Sequence, residues 1–200
     1  IIFLETTILS NMGLYSGIGP IVNQNGEPDM LQAYAPHGYD LVTDTKEVSS
    51  ANPERIKFIF ARHGKKARQL NMPMLVGEWG AYGNSNSLQA ARVVVHQFEK
   101  LMCSDTYWNY EQNIDKRDYF QAINRPYPKA IAGDLQFYHF DPQTGWFDCI
   151  WLENPNIKEP GIIYIPRGRL LDIDDIKLSP FDKGLKIISL NDSSNNAHLL

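Results

Sequence analysis

The sequence of 200 residues lacks several features that mark whole classes of protein. No apolar run reaches the roughly 18 residues that a bilayer-spanning helix needs, so we expect no transmembrane segment. The N-terminus lacks the ordered charged, apolar and small residues of a signal peptide, so the sequence does not determine a compartment. The two cysteines, Cys103 and Cys149, are too few for a metal motif or a disulfide framework. Each is expected to be a small buried apolar residue, and the sequence leaves open whether they pair.

Basic residues and metal-ligand patterns are also scarce. Lysine and arginine total 19 against 23 acidic residues, and the net charge is −4. The one basic cluster, 62–68, is short, and we expect its Lys65, Lys66 and Arg68 to form the solvated face of a helix. We therefore predict no nucleic-acid partner. The five histidines show no HExxH motif or paired ligand spacing, so we predict no metal site and no cofactor.

The first part of the chain alternates between strand and helix patterns. Residues 1–4 form an apolar run typical of a strand buried on both faces of a parallel sheet. Further strands are predicted at 32–40, 72–76 and 105–110, with a glycine-rich loop at 11–29. This order predicts parallel βα units, in which polar groups collect where the strands end.

Two helices separate these strands. Asn52, Pro53 and Glu54 are typical of a helix start, and they predict a helix over 53–70. A second helix is predicted over 87–103. The apolar positions expected to face the core are, in the first helix, Ile56, Phe60, His63, Ala67 and Leu70, and in the second, Leu88, Ala91, Val95, Phe98 and Met102.

The pattern changes after residue 126, where turn signals become frequent and helical periodicity disappears. Residues 134–140 and 146–152 alternate across the turn 141–145, which predicts a β-hairpin. Further strands are predicted at 162–165 and 185–190. The sequence therefore predicts a second domain of β type.

Glu78 is the strongest candidate for chemistry. It follows a strand and lies between Gly77 and Gly80, and on spacing alone it is equally compatible with a lysine salt bridge at the sheet rim. His37 and Tyr39 are two residues apart and therefore share one face of a strand. A phenol that donates to a carboxylate keeps it ionised. Trp108 follows the last strand, either as a stacking platform for a sugar ring or as a core residue.

Taken in order, three segments resemble the sixth, seventh and eighth barrel strands of glycoside hydrolase family 5. They are 35–40 (APHGYD), 75–80 (LVGEWG) and 107–110 (YWNY), and 1–5 matches the fifth strand. The segments 125–130 (RPYPKA) and 163–166 (IYIP) are similar to the β-sandwich that follows the barrel in endoglycoceramidases. The resemblance implies an α/β fold. The C-terminal half of a (β/α)8 TIM barrel would occupy 1–126, and a small antiparallel β-sandwich would occupy 127–200.

The resemblance also implies an activity, that of a retaining β-glycosidase acting on a β-glucoside or a glycolipid. Glu78 would be the nucleophile and Tyr39 would orient it and keep it ionised. His37 would help to position the acid/base group, and Trp108 would form the floor of the sugar subsite. Three further residues are named as candidates for lining the pocket: Glu5, Tyr110 and Gln112.

A retaining glycosidase needs a second carboxylate about 5 Å from the first. In the family, this acid/base glutamate follows an asparagine at the end of strand four, which would precede Ile1. The segment Asn25-Gly26-Glu27-Pro28 is similar only superficially, and we interpret it as a turn. The expectation is therefore a piece of a longer enzyme, inactive alone, whose partner is the N-terminal half of the barrel.

Two other functions stay open. The β-domain is a candidate for binding carbohydrate or lipid through Trp146 and Trp151, although an alternating hairpin more often buries such residues. The barrel is also compatible with a non-catalytic scaffold. An Asn-Glu pair at a strand end upstream of Ile1 would favour the enzyme, and its absence would favour the scaffold.

Overall fold

The computed structural model describes residues 1–166, 176–179, 188–189 and 197–199. The chain divides into two compact units, Ile1–Ile123 and Asn124–Leu200. The first unit contains parallel strands and helices, and the second contains antiparallel strands. Among the described residues, no helix is both long enough and apolar enough to cross a membrane.

The first unit follows the predicted order of strands and helices. Its strands are β1 (Ile2–Glu5), β2 (Gln32–Ala35), β3 (His37–Gly38), β4 (Leu75–Gly80) and β5 (Ser104–Trp108). Its helices are α1 (Ile8–Asn11), α2 (Pro53–Leu70), α3 (Leu88–Leu101) and α4 (Phe120–Ile123), with 3₁₀ turns at Val48–Ser50 and Ile114–Lys116. The pairs β1–β2, β3–β4 and β4–β5 are all parallel.

The strand predicted over 32–40 is divided at Pro36. Proline has no N–H to donate to a neighbouring strand, so the ladder is interrupted there. The Pro36 carbonyl still accepts from Gly77 N at 2.9 Å, and Tyr34 N donates to Pro73 O at 2.9 Å. The polypeptide therefore continues alongside β4 on both sides of the proline.

Two strand predictions need correction. Residues 1–4 were expected to be buried on both faces, but Ile2 is 46% and Phe3 is 55% exposed. Within the described chain β1 hydrogen-bonds to one strand only, β2, so its other edge has no partner strand there. The strand predicted over 72–76 begins later and extends through the Glu78 motif, because β4 continues to pair with β3 at His37–Glu78.

The predicted helix α2 is confirmed, including its first turn. The Asn52 side chain accepts from the backbone N–H groups of Glu54 at 2.8 Å and Arg55 at 3.1 Å, which satisfies donors that the helix itself leaves free. One expectation on this helix is wrong, because Lys66 is only 9% exposed. Its ammonium lies 5.1 Å from the centre of the Tyr15 ring in the loop after α1.

Helix α3 is shorter than predicted at both ends. Ser87 occupies the N-cap position, and Met102 adopts a left-handed conformation that ends the helix. Met102 is therefore 46% exposed rather than part of the apolar stripe. The core that α2 and α3 form against the sheet includes Ile56, Phe60, Val76, Trp79, Val94 and Phe98.

The second unit contains two antiparallel sheets. Its strands are β6 (Tyr127–Ala130), β7 (Gly133–Phe140), β8 (Phe147–Glu153), β9 (Ile162–Pro166), β10 (Ile188–Ser189) and β11 (Ala197–Leu199). The order β10-β11-β9-β6 forms one sheet, and the predicted hairpin β7–β8 forms the other. Of the strand predicted at 185–190, residues 185–187 and 190 lie outside the described residues.

The structure also tests the predictions made for the hairpin tryptophans and for the two cysteines. Trp146 is 53% and Trp151 is 37% exposed, so the expectation that the hairpin buries them is wrong. Cys103 and Cys149 do not form a disulfide. Cys103 is buried, and burial raises the pKa of the half-buried Cys149 to about 11.

The buried His63 predicts a pH dependence of stability. The side chain is 2% exposed and its Nδ1 lies 3.1 Å from the Tyr34 hydroxyl. Burial lowers the pKa of His63 to about 4. The unfolded chain takes up this proton below a pH of about 6.5 and the folded chain does not, so the free energy of unfolding falls as the pH drops from there towards 4. We expect a loss of about 3 kcal/mol from this group.

Urea denaturation across this pH range measures the effect. His63→Gln keeps a polar partner for Tyr34 but has no proton to take up. The free energy of unfolding that the variant loses over this pH range should therefore be smaller by about the same 3 kcal/mol. We expect the variant to be less stable than wild type at every pH, so the two proteins are compared by how their free energies of unfolding change with pH. Identical pH dependence in the two proteins would contradict the prediction.

The contact between Gly38 and Phe60 predicts a steric limit. A Cβ atom at Gly38 would overlap the Phe60 ring, which is 1% exposed and packs edge-on against Phe98 at 5.4 Å. We expect Gly38→Ala to destabilise the protein by about 1–3 kcal/mol, since a packed core cannot absorb an added methyl group without strain. Gly17→Ala is the matched control, because nothing lies within 4 Å of its added Cβ. Equal unfolding midpoints for the two variants would refute the idea.

Candidate active site

Polar side chains gather where the parallel strands end. Glu5 is the last residue of β1, His37 and Tyr39 lie at the end of β3, and Trp108 is the last residue of β5. Glu78 lies in β4 directly opposite His37 in the parallel register. Because the carboxyl ends of parallel strands meet at one edge of a sheet, these residues form one group.

A β-bulge sets the direction of Glu78. Val76 pairs with Asp105 and Trp79 pairs with Tyr107, so Gly77 and Glu78 together oppose one residue of β5. Both Val76 and Trp79 are fully buried in the core that α2 and α3 cover. Without the extra residue, strict alternation would place Glu78 on the same face as Val76. The bulge instead leaves the Glu78 side chain 32% exposed.

Two side chains converge on one oxygen of Glu78. The Tyr39 hydroxyl donates to Glu78 Oε2 at 2.8 Å, and His37 Nδ1 lies 3.3 Å from the same oxygen. Burial of Tyr39 and its hydrogen bond to Glu78 raise the pKa of Tyr39 well above its ordinary value, so the phenol keeps its proton and remains a donor. Within the described residues, Glu78 Oε1 has no hydrogen-bond partner, and no lysine forms an ion pair with Glu78. The rim salt bridge considered from the sequence is therefore not formed.

His37 has a second carboxylate on its other side. Its Nε2 lies 3.4 Å from Glu5 Oε1, and its ring meets the Tyr39 ring edge-on at 6.4 Å. The absence of a side chain at Gly77 allows this placement, because a Cβ there would be 3.2 Å from the imidazole. Glu5, which the sequence offered only as a pocket candidate, thus belongs to the same group as Glu78.

The aromatic candidates differ in their surroundings. Trp108 is 50% exposed, so it is not a core residue, whereas Trp79 is fully buried and donates through Nε1 to Asp105 at 2.9 Å. Tyr110 is 84% exposed and Gln112 is exposed as well. In the part of the chain that is described, neither hydrogen-bonds to a member of the group around Glu78.

Two residues that the sequence did not identify, Asp40 and Arg55, stabilise the end of β3 next to the site. Asp40, which follows Tyr39, is 7% exposed and accepts from Arg55 through both of its oxygens, at 2.8 and 3.1 Å. Burial alone would raise the pKa of Asp40, but the hydrogen bonds from Arg55 and from the Val42 and Asn52 backbone lower it below its ordinary value. This network fastens the end of β3 to the start of α2.

A second unexpected network joins the loops that follow β4 and β5. Glu111 accepts from Arg117 Nε at 2.8 Å and from the Tyr119 hydroxyl at 2.8 Å. The Tyr119 hydroxyl also lies 3.0 Å from Gly83 O. The hydrogen bonds from Arg117 and Tyr119 lower the pKa of Glu111. Sequence spacing gave no signal for this network, since its members come from separate loops.

The segment Asn25-Gly26-Glu27-Pro28 forms the predicted turn. Asn23 Oδ1 accepts from the backbone of Asn25 at 2.9 Å and of Glu27 at 3.0 Å, and Gly26 adopts a φ of +80°. Glu27 contacts the Asn23 side chain at 2.9 Å. The segment therefore contributes no carboxylate to the group around Glu78.

Solved structures of similar fold include two of endo-glycoceramidase II from Rhodococcus sp. One is a complex with a cellobiose-like imidazole (TM-score 0.73) and the other is a lactosyl-enzyme intermediate (TM-score 0.72). Each is 20% identical to the present chain and covers 99% of it. The chain in turn covers 46% and 45% of those proteins, so it spans less than half of their length. No curated protein matches the chain in sequence.

These similarities confirm the predicted fold class, in which part of a TIM barrel precedes an antiparallel sheet domain. Two family models match in succession. Residues 1–114 match the cellulase model of glycosyl hydrolase family 5, and residues 125–197 match the glycoside hydrolase family 5 C-terminal domain. The chain therefore belongs to glycoside hydrolase family 5.

Proposed function

We propose that this chain carries the nucleophile of a retaining β-glycosidase, and that Glu78 is that nucleophile. The observation that supports this best is the convergence of Tyr39 and His37 on Glu78 Oε2, at 2.8 and 3.3 Å. The Tyr39 hydroxyl donates to Oε2 and His37 lies beside that oxygen, so Oε1 keeps its lone pairs for a substrate. A retaining mechanism needs an ionised carboxylate that is positioned and partly accessible, and Glu78 is 32% exposed.

In this mechanism Glu78 Oε1 attacks the anomeric carbon of the sugar. The bond from that carbon to the leaving oxygen breaks as the new ester bond forms, and an acid/base group protonates the leaving oxygen. The Tyr39 hydroxyl donates to Glu78 Oε2 and fixes the orientation of the carboxylate. Water then attacks the same carbon from the side opposite Glu78. The acid/base group takes the proton of this water, and the ester bond to Glu78 breaks, which releases Glu78 and retains the configuration. The half-exposed Trp108 offers a flat face on which the sugar stacks.

We further propose that residues outside this chain supply the acid/base carboxylate. The parallel strands β1 to β5 occupy four positions of an eight-stranded barrel, since β2 and β3 share one position. Ile2 and Phe3 are half-exposed at one edge of this arrangement. A preceding half-barrel would pair with β1 and β5 and bury such side chains. The isolated chain is then expected to lack activity.

The proposed substrate class is a β-glucoside or a glycolipid. Support comes from the family 5 C-terminal domain at residues 125–197 and from the fold shared with endo-glycoceramidase II. The second unit also has a candidate role of its own, since Trp146 and Trp151 are exposed on the hairpin. That exposure favours carbohydrate or lipid binding there. A glycan soaked into crystals would locate on the hairpin in that case and beside Trp108 in the enzyme case.

Substitution of Glu78 tests the proposed nucleophile. Glu78→Gln keeps the shape of the side chain but removes the charge that attacks carbon, so hydrolysis of an aryl β-glucoside by the full-length protein should fall by about 10⁴-fold or more. The wild-type enzyme should release first the β-anomer, which proton NMR detects before mutarotation. Glu47→Gln, at an exposed loop position, is the control. A Glu78→Gln rate close to wild type would eliminate Glu78 as the nucleophile.

Removal of the Tyr39 hydroxyl tests its role toward Glu78. Tyr39→Phe loses one hydrogen bond to a charged group, so we expect kcat/KM to fall about 10- to 100-fold. The fold should persist, because the ring remains. Tyr15→Phe removes a hydroxyl that is bonded to Gln69 at 3.3 Å, away from Glu78, and should leave the rate unchanged. Equal rates for Tyr39→Phe and wild type would show that the hydroxyl has no part in the reaction.

A further inference from the structure

Tyr39 lies just beyond the end of the sheet ladder. Strand β3 pairs with β4 through His37 and Gly38, and its described pairing stops there. The backbone N–H of Tyr39 donates instead to Asn11 O, at the end of α1, at 3.1 Å. The Tyr39 hydroxyl nevertheless donates to Glu78 Oε2 at 2.8 Å. Contacts outside the sheet must therefore hold the backbone that carries this phenol.

The next residue, Asp40, is held on both of its carboxylate oxygens. Its Oδ1 accepts from Arg55 Nη2 at 2.8 Å and from Val42 N at 3.1 Å. Its Oδ2 accepts from Arg55 Nε at 3.1 Å and from Asn52 N at 3.2 Å. An ionised carboxylate offers about four lone-pair sites, and these bonds use all of them. Because Asp40 is only 7% exposed, little water competes for its oxygens.

Helix α2 provides most of these donors. Arg55 lies in its first turn, and Asn52 is its N-cap residue. The guanidinium of Arg55 donates through two nitrogens to the two oxygens of one carboxylate, which fixes direction as well as distance. The helix itself is 18 residues long and buries Ile56 in the core. Asp40 is therefore tied to an element that the core holds in place.

Tyr39 and Asp40 are adjacent, so their contacts act on one stretch of backbone. The side chain of Tyr39 reaches Glu78, and that of Asp40 reaches Arg55. A backbone rotation that moves the phenol away from Glu78 would also strain the hydrogen bonds of Asp40. Hydrogen bonds weaken steeply when they are bent. In an active site, a displacement of about 1 Å can cost about 100-fold in rate.

We infer that Asp40 and Arg55 are a positioning pair, which holds the backbone of Tyr39 so that its hydroxyl meets Glu78 Oε2. Among the described contacts neither member of the pair hydrogen-bonds to Glu78, so the pair acts through Tyr39. The part of this inference that concerns the reaction rests on the proposed glycosidase function, and the part that concerns the Tyr39–Glu78 hydrogen bond does not. A pair that only stabilised the fold would act equally whether or not Tyr39 had its hydroxyl.

A double-mutant cycle on the full-length protein separates positioning from stability. Asp40→Asn keeps the size of the side chain, but its NH₂ group cannot accept, so one side of the carboxylate site loses its hydrogen bonds. We expect kcat/KM for an aryl β-glucoside to fall about tenfold when Tyr39 is present. In the Tyr39→Phe background the loss should be less than about twofold, because no hydroxyl remains to be positioned. Equal fold losses in the two backgrounds would overturn the inference.

Arg55→Lys provides the same test if Asp40→Asn does not fold. It keeps the positive charge but replaces the planar fork by a point charge. The Arg55 side chain is 39% exposed, so the fold should persist. We expect kcat/KM to fall about three- to tenfold with Tyr39 and less than about twofold with Tyr39→Phe. Arg62→Lys, at an exposed position of the same helix, is the matched control and should keep the wild-type rate. A loss that is the same in both backgrounds would contradict the positioning role here too.

Carbon NMR of the full-length protein, labelled at tyrosine Cζ, tests the hydrogen bond without a substrate. Tyr39→Phe assigns the Tyr39 signal by its loss, and Glu78→Gln gives its chemical shift beside an uncharged acceptor. In Asp40→Asn and Arg55→Lys the signal should move towards that shift, and in Arg62→Lys it should not move. An unmoved signal in both variants would refute the inference. If the full-length protein hydrolyses no glycoside, the proposed function fails, while this spectrum still decides whether the pair positions Tyr39.

Discussion

The extra residue in β4 is the constraint on which the site depends. The core requires Val76 and Trp79 to face α2 and α3, and both are fully buried. Two residues that are three positions apart share one face of a strand only where a bulge interrupts the alternation. The two bulged residues are Gly77 and Glu78, and the hydroxyl of Thr106 donates to the Gly77 carbonyl across the gap. The packing of the core therefore determines that Glu78 is available at the sheet edge.

The groups around Glu78 are held by packing that lies one layer deeper. Trp79 meets Phe98 of α3 and Tyr107 of β5 edge-on, each at 5.2 Å, and Phe98 meets Phe60 of α2 at 5.4 Å. The Phe60 ring in turn fills the space that Gly38 leaves between His37 and Tyr39. A continuous set of buried rings thus connects the strand that carries Glu78 with the strand that carries its two partners. Side chains held in this way lose little further freedom when a ligand binds.

Local signals in the sequence predicted some of this structure well, and non-local pairing explains the rest. Asn52 and Pro53 determine where α2 begins, because a cap and a fixed φ act within one turn. The bulge at Gly77 depends on how β4 pairs with β5, and a glycine within a strand was its only trace in the sequence. The exposure of Ile2 depends on which strands flank β1, which its own apolar residues do not reveal. Met102 failed as a core residue because the helix ends at Leu101, two positions before its predicted end.

The candidate site was likewise predictable from the sequence only in part. The order of His37, Tyr39, Glu78 and Trp108 along the chain was sufficient to propose one group, since parallel strands bring their ends together. The sequence did not show that both partners of Glu78 converge on Oε2, nor that Glu5 faces His37 from behind. These contacts distinguish the two oxygens of a symmetric carboxylate. One oxygen accepts from a phenol and lies beside an imidazole, and the other has no partner among the described residues. This asymmetry, rather than the presence of a glutamate at a strand end, is the basis on which we propose Glu78 as the group that attacks carbon.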